Sequence, residues 1–225
     1  MEHPGSLVLL LVWGTIVGLD LVSGPQALLS RPLVAGTVAG AIAGDPAAGL
    51  RVGLLLELFA LDVLPVGATR YPDYGPGTVA AAALVAANGD WTTTLGLAAG
   101  VAVIAGLIGD WSLVRLRHQI ARSIQRRSDL LARGDRDTIR RLQYASIGRD
   151  AIRSLGLTAL ALAIARMVDA ALIPDPLTGQ LLTIVAIGAG AAAALGGAIR
   201  SAGRGRRLGW LAAGAVAGST LAWLR

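Results

Sequence analysis

Apolar positions along this chain fall into long runs separated by short polar breaks, rather than into stripes that alternate with charge. Leu7–Val22 is the first run, interrupted late by Asp20 and closed by Ser23-Gly24-Pro25. No basic residue precedes it and no clear small-x-small cleavage site follows, so a membrane helix or half-helix is expected rather than a cleaved leader. Pro32–Leu50 opens on Arg31-Pro32 and is broken by Gly44-Asp45-Pro46. Gly36, Gly40 and Gly44 repeat at a spacing of four there and predict one smooth glycine face for close helix packing. Gly53–Ala68 follows and holds two acids, Glu57 and Asp62, inside an apolar stretch. Its length, about sixteen residues, is short for a straight crossing of a ~30 Å hydrocarbon core, which takes about twenty. A re-entrant or broken element fits better, and such backbone is tolerated only where protein or water covers it.

Thr69–Gly77 reads as a turn cluster and Thr78–Ala87 as another short apolar stretch, ended by Asn88-Gly89-Asp90. A longer run then extends from Trp91 through Ile108, with Trp91 and Trp111 placed as interfacial anchors. Arg115–Arg153 carries about half of the chain's arginines. Leu113, Leu116, Ile120 and Ile124 recur at helical spacing, which predicts one or two amphipathic basic helices lying on the cytoplasmic face. Leu155–Ile173 spans next, with Arg166 and Asp169 three residues apart and able to pair on one face. After the turn Pro174-Asp175-Pro176, Leu181–Ile199 returns to a second cluster at Arg200, Arg204, Arg206 and Arg207. Both clusters are expected on the cytoplasmic side, so the two segments between them form a hairpin whose turn faces outward. Leu208–Leu224 is a last apolar segment. The organisation expected is a membrane region over 1–110, a basic segment over 111–153 and membrane helices over 154–225.

Composition settles the solvent. The chain is 54% hydrophobic and only 15% charged, outside the usual soluble balance. An Ala-rich soluble bundle would need charged faces along most helices, and the apolar runs leave none. The fold class expected is therefore all-α: a polytopic integral membrane protein with broken or re-entrant helices in its N-terminal half. Cys is absent, which excludes disulfides, thiolate metal sites and a cysteine nucleophile. His3 and His118 are too far apart in sequence for a histidine metal centre to be expected. All twenty basic residues counted as Lys or Arg are Arg. Although the pI is near 11.1, these arginines flank apolar runs as the positive-inside rule expects, so no nucleic-acid partner is predicted.

Chemistry is concentrated in a few polar groups at membrane depth: Asp20, Arg31, Asp45, Glu57, Asp62 and Asp73. A carboxylate there is costly and marks a substrate or ion pathway by default. Carboxylates accept paired hydrogen bonds from sugar hydroxyls, or bind protons and cations for coupling, and broken helices beside them build transporter sites. Asp45 and Asp90 also read as interfacial acids beside Gly and Pro breaks. The chain has no P-loop, G-x-S-x-G, H-E-x-x-H or dinucleotide fingerprint, so no ATP motor, catalytic residue or cofactor is expected.

Arg31-Pro32-Leu33-Val34-Ala35-Gly36-Thr37, Ala43-Gly44-Asp45, Gly53-Leu54-Leu55-Leu56-Glu57-Leu58, Val66-Gly67-Ala68 and Pro72-Asp73 resemble, in order and spacing, the membrane component IIC of the mannose-type sugar phosphotransferase system. Beyond Asp73 the resemblance is one of general layout. It implies a sugar permease subunit of the bacterial inner membrane, working with a IID membrane subunit and soluble IIA and IIB phosphocarriers in a hetero-oligomer. Phosphorylation would come from a phosphohistidine on IIB, consistent with the scarcity of His and Cys here. The resemblance makes Glu57 the foremost substrate-binding carboxylate, with Arg31, Asp45 and Asp73 behind it. Asp20 and Asp62 do not map onto the motif, and Asp62 stands where a Gly is usual. The chain is also shorter than the family norm and Arg-rich at its centre. Two alternatives stay open from the residues: a non-transporting regulatory member of the same family, and an ion- or proton-coupled carrier using Glu57 and Asp62.

Overall fold

The computed structural model describes residues 4–63, 70–202, 209–210 and 213–214. The helices are α1 (Pro4–Val22), α2 (Pro32–Ala43), α3 (Pro46–Ala60), α4 (Tyr74–Asn88), α5 (Trp91–Gln125), α6 (Ser128–Ala132), α7 (Arg136–Ala171) and α8 (Pro176–Ala202). No strand occurs among the described residues. Four of these, α1, α5, α7 and α8, are long and apolar enough to cross a bilayer. The others are not. At 1.5 Å per residue, α2 rises about 18 Å and α3 and α4 about 22 Å each, short of a ~30 Å core.

The short helices are therefore held by protein, and glycine is how. α2 and α3 form a hairpin whose turn is set by Gly44, at φ 97°, a left-handed conformation that a side chain resists. Asp45 then caps α3, its Oδ1 accepting from the Ala48 N–H at 2.9 Å. Gly36 and Gly40 of α2 lie directly on Gly49 and Gly53 of α3, so close that a Cβ on Gly40 would sit 2.7 Å from the Gly49 Cα. The glycine face expected from the sequence is real at Gly36 and Gly40. Gly44 is not part of it, since nothing lies near its would-be Cβ and backbone geometry is its role. The chain break also falls earlier than the apolar runs suggest, because α3 starts at Pro46 and continues unbroken through Leu50–Gly53.

α4 is the centre of the molecule. Every residue from Gly75 to Val85 is buried, and the helix is packed by α1, α2, α3, α5 and α7. Its run of Gly and Ala lets five neighbours approach it closely. On α1, Gly14 and Gly18 receive Thr158 and Ser154 of α7 in the same way. Asp90 caps α5, and hydrogen bonds from the Thr92 and Thr93 hydroxyls hold its carboxyl below the ordinary carboxylate range.

Two expectations are corrected. The basic segment does not form separate helices lying on the membrane. α5 is 35 residues and α7 is 36, so each is about 50 Å long, and their Arg-rich ends continue the spans beyond the apolar core, joined by α6. No proline interrupts either helix interior, and Leu113 and Leu116 pack on Tyr71 with Ile120 beside them, rather than facing lipid. Second, α8 follows α7 in the chain but packs on α5 and α3. The interface is again made of small residues: a Cβ on Gly179 would meet Thr93, and one on Gly190 would sit 3.1 Å from Phe59. Asp169 accepts a hydrogen bond from Asn88 Nδ2 at 2.8 Å, tying α7 to the end of α4. The last apolar segment, Leu208–Leu224, lies almost wholly outside the described residues.

Candidate functional site

The start of α2 and the end of α3 meet across the hairpin. Arg31 is held extended (φ −66°, ψ 130°) by the following Pro32, which begins α2. Its guanidinium pairs with Glu57 Oε1, and the Leu33 N–H donates to Glu57 Oε2 at 3.2 Å. A carboxylate near the C-terminal end of its own helix is unfavourable. Here it lies across the N-terminus of α2 instead, where free N–H groups and a guanidinium favour it.

A cleft opens beside this pair, lined by Ser30, Arg31, Phe59, Asp62, Tyr71 and Tyr74 among others. Its cavity is about 60 Å³. Asp62 follows α3 and pairs with Arg200 of α8, which also donates to the Asp62 carbonyl at 3.0 Å. Both side chains are exposed, so the pair contributes little to stability. The Tyr71 hydroxyl accepts from Arg117 Nη2 at 3.1 Å, and the same guanidinium lies 5.5 Å from the ring centroid.

Asp20, buried behind the cleft lining, holds the loop that supplies Ser30 and Arg31. Its two oxygens accept from the N–H groups of Ala27 and Ser30 at 2.7 and 3.1 Å. These bonds hold the loop from α1 to α2, in which Gln26 and Leu28 are left-handed at φ 54° and 65°. Each such residue costs about 1–2 kcal/mol, so Asp20 positions Ser30 and Arg31 against local strain.

Of the five residues singled out as substrate-binding, the fold brings Arg31, Glu57 and Asp62 together. Asp45 is at the opposite end of the hairpin, about 18 Å away along α2, where it caps α3. Asp73 adjoins the cleft through Pro72, yet its side chain turns inward. Its Oδ2 accepts from Arg153 Nη1 at 3.0 Å, and its own N–H donates to the Gly106 carbonyl at 3.0 Å. Arg153 also donates through Nε to Asp150 Oδ1 at 2.8 Å and through Nη1 to Ser112 Oγ at 3.2 Å. Ser23 Oγ donates to Asp150 Oδ2 at 2.6 Å. The motif residues Val66-Gly67-Ala68 lie outside the described residues.

Sequence reasoning missed Arg153 and Asp150. Arg153 counts among the topology-setting arginines, and only its i,i+3 spacing from Asp150 hints at a pair. Among the described residues no group of His, Cys, Asp and Glu is arranged to hold a metal.

Four apolar spans around a glycine-seamed helical hairpin, with an Arg–carboxylate pair where the hairpin's two ends meet, define a polytopic membrane protein with a polar site inside the membrane region. The family described as "PTS system sorbose-specific IIC component" matches residues 5–201, and the chain belongs to that family. It is 32% identical over 98 residues to the "PTS system sorbose-specific EIIC component" of Lacticaseibacillus casei, covering 43% of this chain and 35% of that one. Against the protein of the same description from Klebsiella pneumoniae it is 33% identical over 100 residues, covering 44% and 37%. Against the "Fructose permease IIC component" of Bacillus subtilis (strain 168) it is 34% identical over 102 residues, covering 45% and 36%. The matches thus span little more than a third of each relative's length. A solved chain described as "Structure of membrane protein" superimposes with a TM-score of 0.73 over 100% of this chain and 96% of that one. At 20% identity that likeness speaks for the fold alone.

Proposed function

We infer that this chain is the IIC permease subunit of a phosphotransferase system in the bacterial inner membrane, carrying a hexose or related sugar past the cleft beside Glu57. In this reading a IID membrane subunit completes the pathway, and soluble IIA and IIB proteins deliver the phosphoryl group, so the chain itself performs no chemistry. The observation that carries it is the Arg31–Glu57 pair at a cleft walled by Tyr71, Phe59 and Asp62. A carboxylate and a guanidinium side by side offer acceptors and donors to neighbouring sugar hydroxyls. Aromatic rings give the apolar face of a sugar a surface to lie on. Asp62 extends the polar wall, whereas Asp73 and Asp45 serve through the backbone they hold.

The absence of Cys gives a direct test. The S30C thiol is the single one in the chain and sits in the cleft, and A47C places one at the exposed hairpin tip. Sorbose, fructose or mannose is expected to slow maleimide labelling of S30C severalfold while leaving A47C unchanged. Labelling of S30C at one rate with and without every sugar in the panel contradicts the assignment.

A further inference from the structure

The Arg-rich ends of α5 and α7 enclose a groove that the sugar pathway does not use. Its inner part, about 330 Å³, is lined by Trp111, Arg115, Gln119, Arg149 and Ile152, with Arg153 at its floor. It continues through Gln119 and Arg149 into an outer part of about 270 Å³, lined by Arg122, Ser123 and Arg126. No carboxylate lines either part. Arg153 is already neutralised from beneath by Asp73 and Asp150, but Arg115, Arg122, Arg126 and Arg149 face the groove together. Arg149 Nη1 donates to Ser123 Oγ at 3.1 Å, which holds it across the groove.

The groove also sits at a definite depth. From Trp91 to Trp111, α5 rises about 30 Å, the thickness of the hydrocarbon core. Trp111 is thus at the interface, and the Arg115 guanidinium stacks 3.8 Å from the centroid of its ring. One face of α5 carries Ile104, Leu107 and Trp111, all exposed, and then changes to Arg115 and Arg122. α7 mirrors it: exposed Met167, Leu160 and Ile152 lead to Arg149 on the same face. Gly156, between Leu160 and Ile152, opens space rather than filling it. Two apolar tracks therefore run through the core and converge on four arginines at headgroup level. An acyl chain fits the tracks and a phosphate fits the arginines, whose planar donors suit phosphate oxygens.

We propose that this groove binds an anionic phospholipid, its phosphate among Arg115, Arg122 and Arg149 and its acyl chains along the apolar faces of α5 and α7. Basic pockets between transmembrane helices at the cytoplasmic side take such headgroups on general electrostatic grounds. A soluble phosphate offers the same charge but nothing for the tracks. Lipid binding here is independent of what the cleft carries.

The test is native mass spectrometry of the full chain in detergent, mixed with equal amounts of phosphatidylglycerol and phosphatidylcholine of distinguishable mass. Wild type is expected to retain phosphatidylglycerol in preference. R115Q/R149Q is expected to lower that preference by about fivefold for each arginine lost. R133Q/R140Q, the same change in charge outside the groove, is expected to keep it. Equal retention of the two lipids by wild type overturns the proposal, and so does an equal loss in R133Q/R140Q. Displacement of the lipid by glycerol 3-phosphate at matching concentration also overturns it, because a headgroup alone would then be what binds.

Discussion

Arg153→Met is expected to lower the thermal midpoint of the detergent-solubilised protein by roughly 10 °C, the shift that a loss of about 3–5 kcal/mol produces in a domain of this size. Arg153 is the single cation between two fully buried carboxylates, Asp73 and Asp150, and its own side chain is only 8% exposed. Removing it leaves both acids uncompensated. Asp73 Oδ1 already lacks a hydrogen-bond partner, so the site has nothing in reserve. The loss reaches four elements, because Asp73 leads into α4, Ser112 is on α5, Asp150 is on α7 and Ser23 follows α1. The companion variant R153M/D73N/D150N removes the charges together and is expected to recover much of the midpoint, since well-packed neutral groups often replace a buried ion network at little cost. A wild-type midpoint for R153M alone contradicts this account.

Gly49→Ala is expected to cost at least about 1–3 kcal/mol, the ordinary penalty for forcing an extra methyl into a filled interior. The added Cβ would run into the Gly36 carbonyl oxygen and lie 2.8 Å from the Gly40 Cα, both backbone atoms that cannot rotate away. In lipid the splayed hairpin recovers no hydrophobic energy, because close packing is what held the helices together. The damage also propagates. Glu57 lies about 12 Å further along α3, where it meets Arg31 only while the hairpin stays closed. Gly44→Ala is the informative comparison: space is open there and only the left-handed backbone resists, at about 1–2 kcal/mol. Thermal melts of the two variants should therefore rank G49A as the less stable, with site geometry lost in G49A alone. Equal melts, or sugar protection of the S30C thiol surviving in G49A, speak against the seam.

What the sequence disclosed and what it hid divide along physical lines. Local hydropathy and breakers placed the spans near Trp91–Ile108, Leu155–Ile173 and Leu181–Ile199, and the hairpin turn at Gly44-Asp45-Pro46. Glu57 was readable as a candidate because a carboxylate inside an apolar run has few explanations, but its pairing with Arg31, twenty-six residues earlier, is made only by the closed hairpin. The continuity of α3 was hidden because the apolar runs stop at Leu50 and resume at Gly53, whereas Arg51 between them stays helical and stacks 5.0 Å from the Trp91 ring centroid. The central place of α4 was hidden too, since a short Gly- and Ala-rich stretch reads the same whether enclosed or peripheral. The ion pair of Asp73 with Arg153 was hidden because nothing local names a partner eighty residues away. The pairing of α8 with α5 and α3 is likewise a choice among equally apolar faces, made by small residues that only the folded chain brings opposite one another.

The central claim is that Glu57 handles sugar for a phosphotransferase permease. Its most direct test is sugar-dependent phosphorylation by membranes carrying this chain with a co-expressed IID protein and purified IIA and IIB, compared between wild type and Glu57→Gln. Losing a charge-assisted hydrogen bond to substrate predicts a fall of about tenfold or more in E57Q, with the membrane assembly still isolated intact. Wild-type phosphorylation in E57Q contradicts the claim.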